Sequence, residues 1–388
     1  MARSSTHSSL AGIREANTRT VVDAVFADES SVALSELVDL TGLSRPTLTQ
    51  TLRLMTAIGL VTHGSDRPAS GIGRPLSVYR PLPEHHELCV VVVGFHWVEV
   101  AVADVFGRVI LTEREDLVTG VPLAQQVAAV LERTIDGRRT TTMGAVIAVM
   151  GIVHQGGVVH SSRHPELGDP ATIEAIRAPI LSRWPEADIV VRNDAKLAAE
   201  WMYRRASASG AEVGLVLAVH MNVSVGCGIV IEGQILEGAH GAAGEVYLES
   251  DNKFHEAERA LWTGIERLGR SVHQIYRDAG QGDPEAQEVT TQMATCVAHG
   301  LRPIVLALDP DTVLVGGPLA QAGQSLRDVF EKEIREVSLT APKVLLSPDS
   351  ETAVRDGAMM VAIDRMRDRL VEQLVSRAGA SPTRRRET

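Results

Sequence analysis

The sequence predicts a mixed α/β protein in which a small helical module precedes a larger body of alternating strands and helices. Apolar residues recur at helical spacing through about residue 58, whereas from Leu88 onward Val-rich runs of strand length alternate with helical patterns. The 388 residues are 44% hydrophobic but only 3% aromatic, with 33 glycines, so the cores must be built from Val, Leu, Ile and Ala, as parallel α/β layers often are. A chain of this length exceeds what one hydrophobic core usually spans and predicts two or three compact units.

Leu10, Ile13, Val21, Val22 and Val25 place an amphipathic first helix over residues 9–27, which residues 28–31 break. Residues 34–40 form a short second helix, 41–44 a tight turn and 45–58 a third helix, the spacing of a helix-turn-helix. Ser44 is a good N-cap, Pro46 is tolerated in the first turn, and Leu48, Leu52 and Met55 form the buried stripe. The opposite face displays Arg45, Thr47, Thr49, Gln50 and Arg53, which with Ser44 can hydrogen-bond base edges and phosphates in a major groove. Residues 59–63 and 76–79 read as two short strands around a Gly-rich loop, 64–75, whose Arg67 and Arg74 suit a narrow minor groove; that loop is a wing. The plainer alternative is a hairpin beside a three-helix bundle, with arginines that merely solvate.

Charge distribution agrees with a nucleic-acid reader. The net charge is −11, yet residues 1–83 carry eight Arg against seven acids, and residues 40–83 carry five Arg against Asp66 alone. No apolar run approaches the roughly 20 residues that cross a bilayer, and residues 1–10 are Ser-rich without the apolar stretch of a signal peptide. A cytoplasmic protein with no membrane partner is expected. Cys89, Cys227 and Cys296 lie far apart, which suggests neither a disulfide framework nor a cysteine zinc site, and they read as small buried hydrophobes. The expected division is a winged helix-turn-helix over 1–83, a linker over 84–87 and a second unit over 88–388. In that unit residues 88–94, 97–104 and 108–112 read as successive strands and 143–149 as another after the helix 123–135.

Met150-Gly-Ile-Val153, Arg192-Asn-Asp-Ala195, Gly238-Ala-His-Gly-Ala-Ala-Gly-Glu245, the segment 308–317 ending in Gly316-Gly317, and the helix-turn-helix with Gly73-Arg-Pro75 together resemble the ROK family (repressor, open reading frame, kinase). The resemblance covers nearly the whole chain, and the segment 238–245 is its most specific part. It implies an actin/hexokinase-like fold of two lobes, 88–193 with the C-terminal helix and about 194–350. It further implies a transcription regulator, expected to be a repressor, with two partners: a double-stranded DNA operator and a small sugar or sugar-derivative effector. A homodimer or homotetramer is expected.

The kinase side of the family is where this chain departs. Family kinases carry an Asp two residues before the Gly of the first strand, and here Val92 precedes Gly94. Their phosphate hairpin runs Gly-Thr-Gly-x-Gly-x-Gly, and here it is Asn222-Val-Ser-Val-Gly-Cys-Gly228, so the first two glycines and the threonine are gone. A Cβ obstructs close backbone approach to phosphate, so no enzyme activity and no cofactor are expected.

Asn193 and Asp194 end a strand (188–192) and start a helix (195–205), the position where open α/β sheets bind ligands. In family kinases the matching Asp takes a proton from the sugar hydroxyl, and in a regulator it can still accept hydrogen bonds; the alternative is an Asn N-cap with Asp favouring the helix dipole. Glu245 matches the family glutamate that contacts sugar hydroxyls. The family continues Glu-x-Gly-His, whereas this chain continues Glu245-Val-Tyr-Leu248, which leaves Tyr247 or a residue from elsewhere to supply the missing contact. The same histidine binds the family's structural zinc, so no metal is expected. His160 and His164 are read as loop residues without chemistry. Residues 352–378 form a long amphipathic helix that packs back on the first lobe, and the tail with Arg384, Arg385 and Arg386 is a solvated end. Two alternatives stand beside the regulator: a sugar kinase with an appended DNA module, and a DNA-binding protein whose larger domain serves only oligomerisation.

Overall fold

The computed structural model describes residues 10–64, 77–138, 140–247, 252–348 and 352–379. The N-terminal module comprises α1 (Leu10–Val25), β1 (Val32–Ala33), α2 (Leu34–Thr41), α3 (Arg45–Ala57), β2 (Val61–Gly64) and β3 (Val78–Pro81). Ser44 caps α3 by accepting from the Thr47 N–H, and Gly42, at φ 67°, closes α2 in the left-handed conformation that only glycine adopts without strain. β2 and β3 pair antiparallel as expected, and β1 adds a short strand on the other edge of β3. The predicted wing loop with Arg67 and Arg74 lies outside the described residues, as does the tail with Arg384–Arg386.

The larger body contains two five-stranded sheets of one design. The first is built from β4 (His86–Val93), β5 (Trp97–Asp104), β6 (Val109–Asp116), then α4 (Leu123–Ile135), β7 (Thr141–Val149), a two-stranded ribbon of β8 (Ile152–His154) and β9 (Gly157–His160), α5 (Pro170–Arg183), β10 (Asp188–Asn193) and α6 (Asp194–Ala208). Its strand order is β10-β7-β4-β5-β6, with β4, β7 and β10 parallel and in register at Val93, Val149 and Asn193. Three carboxyl ends therefore finish at one level. β4 is buried along its whole length, as a central strand covered on both faces must be.

The second sheet uses β11 (Leu215–Met221), β12 (Val225–Ile231) and β13 (Gln234–Ile235), the helices α7 (Lys253–Leu268), α8 (Val272–Gly280) and α9 (Pro284–Leu308), then β14 (Thr312–Gly316), α10 (Gln324–Arg335) and β15 (Lys343–Ser347). Its order, β13-β12-β11-β14-β15, repeats the first: a central strand, an antiparallel meander on one side and parallel crossover strands on the other.

The last helix, α11 (Ala353–Gly379), leaves the second sheet and crosses the molecule. Its start packs on α6 so closely that the Leu197 carbonyl would lie 2.2 Å from a Cβ on Gly357. Its middle covers β4 and β7, and its end, through Leu370, Val371 and Leu374, enters the same core as Val21, Val22, Leu48 and Leu52 of the N-terminal module. The amphipathic pattern reveals the helix and its packing on the first sheet. The contact with the N-terminal module is an addition, because periodicity defines a face without naming what covers it. Arg19 pairs with Asp368 at 2.7 Å, Arg367 reaches the Phe26 carbonyl at 3.1 Å, and Phe26 and Phe106 rings lie 5.8 Å apart. Cys89 and Cys227 are buried as expected, whereas Cys296 is half-exposed. No helix among the described residues is long and apolar enough to cross a membrane.

Candidate functional site

Two surfaces collect the residues the sequence singles out. On α3, Leu48, Leu52 and Met55 are fully buried, which turns Arg45, Gln50 and Arg53 to solvent, with Thr47 and Thr49 half-buried beside them. Ser44 and Thr47 share a hydroxyl hydrogen bond of 2.9 Å, so both hydroxyls already serve the cap. The six described side chains sit on one helix and one turn.

The second surface is a cavity of about 370 Å³ between the carboxyl ends of the first sheet and the β11–β12 hairpin of the second. That size and its mixed lining match those of ordinary ligand pockets. Asn193, Asp194, Glu245 and Tyr247 all line it, so the structure brings together the four residues expected there from two separate segments.

Each of the four has a different job. Asn193 is buried and committed at both ends: its Oδ1 accepts from the Lys196 N–H at 2.8 Å, and its Nδ2 donates to the Gly151 carbonyl at 2.9 Å. It caps α6 and ties that helix to the turn after β7. Asp194 keeps part of its surface open to the cavity, but the surrounding protein strips its carboxyl of water, and with Glu245 nearby its pKa is pushed up to about 7. Burial also raises Glu245, against the opposing pull of the Tyr247 N–H, His160 and Lys196. Two carboxyls that resist ionisation thus face one cavity. The Tyr247 hydroxyl accepts from the Val225 N–H at 3.0 Å.

The hairpin itself is occupied from within. The Tyr276 hydroxyl donates to the Asn222 carbonyl at 2.6 Å, Tyr247 takes the Val225 amide, and Val223, Ser224 and Val225 line the cavity. The glycines that remain in the hairpin have a packing duty: a Cβ on Gly226 would lie 2.5 Å from that of Ala195, and one on Gly228 would lie 2.4 Å from that of Ala199. They let α6 lie against β12. The first sheet's turn is likewise filled, since a Cβ on Gly94 would strike the Trp97 ring at 2.4 Å.

The segment 238–245 closes the cavity by pressing on the β8–β9 ribbon and on the second sheet. Gly241, at φ 77°, places the Val153 carbonyl 2.1 Å from a would-be Cβ, and Gly244, at φ 82°, does the same with the Cys227 carbonyl at 2.6 Å. Lys196, buried on α6, holds the start of this segment through Glu237 Oε2 at 2.6 Å and the Gly241 carbonyl at 2.8 Å.

Several cavity residues escape sequence reasoning. His160 lines the cavity although its loop position suggests no chemistry, and its neighbour His164 turns away to bond the Gly94 carbonyl at 2.8 Å. Arg163 lies over the Phe95 ring, 3.2 Å from its centroid, and reaches Glu258 at 3.4 Å. Only Lys196 carried a signal, as a charge inside an otherwise apolar helix turn. Among the described residues no group of three His, Cys, Asp or Glu is placed to hold a metal ion.

Comparison with known proteins gives this arrangement a context. Residues 257–363 match the ROK family. The chain is 20% identical over 232 residues to the xylose repressor of Lactiplantibacillus pentosus, covering 55% of this chain and 57% of that protein, so it spans less than two thirds of that relative. It is 28% identical over 243 residues to an N-acetylmannosamine kinase of Yersinia pestis, covering 58% of this chain and 81% of the kinase. Among solved structures, a ROK family transcriptional regulator homologous to the E. coli MLC protein superposes with a TM-score of 0.68 at 19% identity, covering 94% of this chain and 99% of that one. A ROK family glucokinase from Streptomyces griseus, in complex with glucose and AMPPNP, superposes with a TM-score of 0.55 at 20% identity over 71% of this chain and 99% of its own. Repressors and sugar kinases both stand among the relatives, and the superposition on the regulator extends over the N-terminal module as well. Residues 257–363 thus carry the match to the ROK family, and the chain shares the mixed α/β fold of these ROK structures.

Proposed function

We propose that this chain is a DNA-binding transcription regulator, in the sense of a repressor, whose ROK domain binds a small polyhydroxylated effector without phosphorylating it. The observation that carries the reading is the occupied hairpin. Phosphoryl transfer depends on backbone amides and a metal positioned around the transferred charge, and here the Val225 amide is given to Tyr247 while Asn222 and Ser224 stand where glycines would be needed. Asp194 and Glu245 remain open to the cavity as acceptors for vicinal hydroxyls, with Asn193 and Lys196 holding them in place. On the same reading residues 1–83 are the DNA reader, and the connector expected over 84–87 is shorter, since β4 of the larger body already begins at His86. Residues 88–388 are then the sensor of a cytoplasmic homo-oligomer. The relation to a repressor and the exposed polar stripe Arg45, Gln50 and Arg53 support the DNA-binding half.

The test has two arms on the full chain. In the first, duplexes selected from a random library are titrated against wild type and Arg53→Ala; a loss of about tenfold, or 1.4 kcal/mol, is expected with the melting temperature unchanged. In the second, mono- and disaccharides are screened by thermal shift and by ATP turnover. A sugar that raises the melting temperature without turnover supports the sensor. Sugar-dependent ATP turnover would establish the kinase reading instead, and absence of any stabilising sugar would favour a domain that serves only assembly.

A further inference from the structure

We propose that the last turn of α11, through Arg377, forms part of the DNA-contacting surface and takes a phosphate of the duplex backbone. The inference rests on the reading of α3 as the DNA reader, and it adds a contact from the opposite end of the chain.

The first observation is a shared cleft. A groove of about 580 Å³ is lined by Arg45, Pro46, Thr49, Gln50, Arg53 and Leu54 of α3 and, from the far end of the sequence, by Ala378 of α11. The stripe assigned to base and phosphate contacts therefore has the end of α11 as its neighbour.

The second observation is charge. Two arginines and no carboxylate line this groove. Arg377, next in the chain to Ala378, is exposed. The arginines earlier on α11 are engaged in ion pairs, Arg355 with Glu99 and Asp356, Arg365 with Asp188, Arg367 with Asp23 and Arg369 with Glu186. Among the described residues no carboxylate lies within ion-pair distance of Arg377, which leaves it as the cation of this helix available to an outside anion.

The third is rigidity. Leu370, Val371 and Leu374 are fully buried in the core that also holds Leu48 and Leu52, so the turn bearing Arg377 is fixed relative to α3. A major groove is about 12 Å wide and a helix with its side chains is about 10–12 Å across, so a helix seated in the groove has a phosphate strand on each flank. An element packed beside α3 at the level of Arg45 to Arg53 meets one of those strands, and an arginine there gains a contact that needs no base sequence.

A phosphate contact is independent of sequence, so the probe is a 30-base-pair random-sequence duplex, about that length, titrated with the full chain from about 50 to 200 mM salt. Arg377→Ala should lower the slope of log affinity against log salt by about one and weaken binding roughly three- to tenfold at the lowest salt. Arg377→Lys should restore most of the slope. Arg369→Ala, a change on the same helix away from α3, should leave it untouched, and all three variants should melt with the wild type. An unchanged slope for Arg377→Ala while Arg53→Ala loses affinity would overturn the contact and leave the DNA reader standing. Tighter binding by Arg377→Ala would also overturn it, because the end of α11 would then shield α3 from DNA. Failure of the wild type to bind with any salt dependence would remove the reader itself, and the contact with it.

Discussion

On α3 the proposed DNA contacts and the fold are carried by different side chains of one helix, Leu48, Leu52 and Met55 inward and Arg45, Gln50 and Arg53 outward. Around the cavity the same residues do both. Asn193 caps α6 while lining the pocket, Lys196 anchors the closing segment while lying beside Asp194, and Gly241 and Gly244 shape the wall only because two carbonyls press against them. The difference predicts that reader substitutions change binding at constant stability, whereas cavity substitutions change stability first.

The sharpest way to break that contrast is Gly241→Val. The new side chain meets the Val153 carbonyl at a backbone angle of φ 77°, where a β-branched residue is strained. A loss of about 4 kcal/mol or more in denaturant unfolding is expected, and a loss under 1 kcal/mol, about that size, would mean the segment yields and the cavity is soft.

Asp194→Asn should give an intermediate effect whose sign depends on pH. The folded carboxyl is raised from 3.8 to about 7, so the wild type is stabilised by protonation below this window and loses that stability as pH rises through it. The asparagine variant lacks the loss. Relative to wild type it should gain about 1–3 kcal/mol between pH 5 and pH 8, approximate limits that discount for the carboxyl's partial opening to the cavity. Sugar affinity should move the other way, since a charged acceptor is lost. Parallel stability curves for the two proteins would remove the raised carboxyl from the picture.

Ser44→Ala, the smallest change, tests whether the separation on α3 is complete. Loss of the cap should cost about 1 kcal/mol, and Ser44→Asn, which can still accept from the Thr47 N–H, should recover it. If the asparagine variant is stable yet binds DNA as weakly as the alanine variant, Ser44 serves both the helix and the duplex.

Much of this architecture is legible from local pattern. The helix-turn-helix follows from caps and a buried stripe, residues 97–104 and 123–135 match β5 and α4 end for end, and the four candidate effector residues converge as their segment positions require. What local pattern does not carry is contact between distant segments. β6 runs four residues further than predicted because its later positions are a run of four charges, Glu113 to Asp116, that reads as loop yet pairs with β5. The occupation of the hairpin by Tyr247 and Tyr276, separated from it by 22 and 54 residues, has no local signature. His160 and Arg163 enter the cavity because the β8–β9 ribbon folds over the carboxyl ends of the sheet, a consequence of tertiary placement.

α11 touches everything proposed to matter. Val354 in its first turn lines the cavity, and Ala378 in its last lines the groove beside α3. At 1.5 Å per residue the span is roughly 40 Å, unbroken by any proline. Geometry then acts as a lever: a tilt of about 5° about the α6 crossing carries the far tip, roughly 32 Å away, through about 3 Å, close to the rise of one base pair. On the proposed reading, small adjustments where Gly357 meets Leu197 would be magnified along such an arm before they reach the surface of α3.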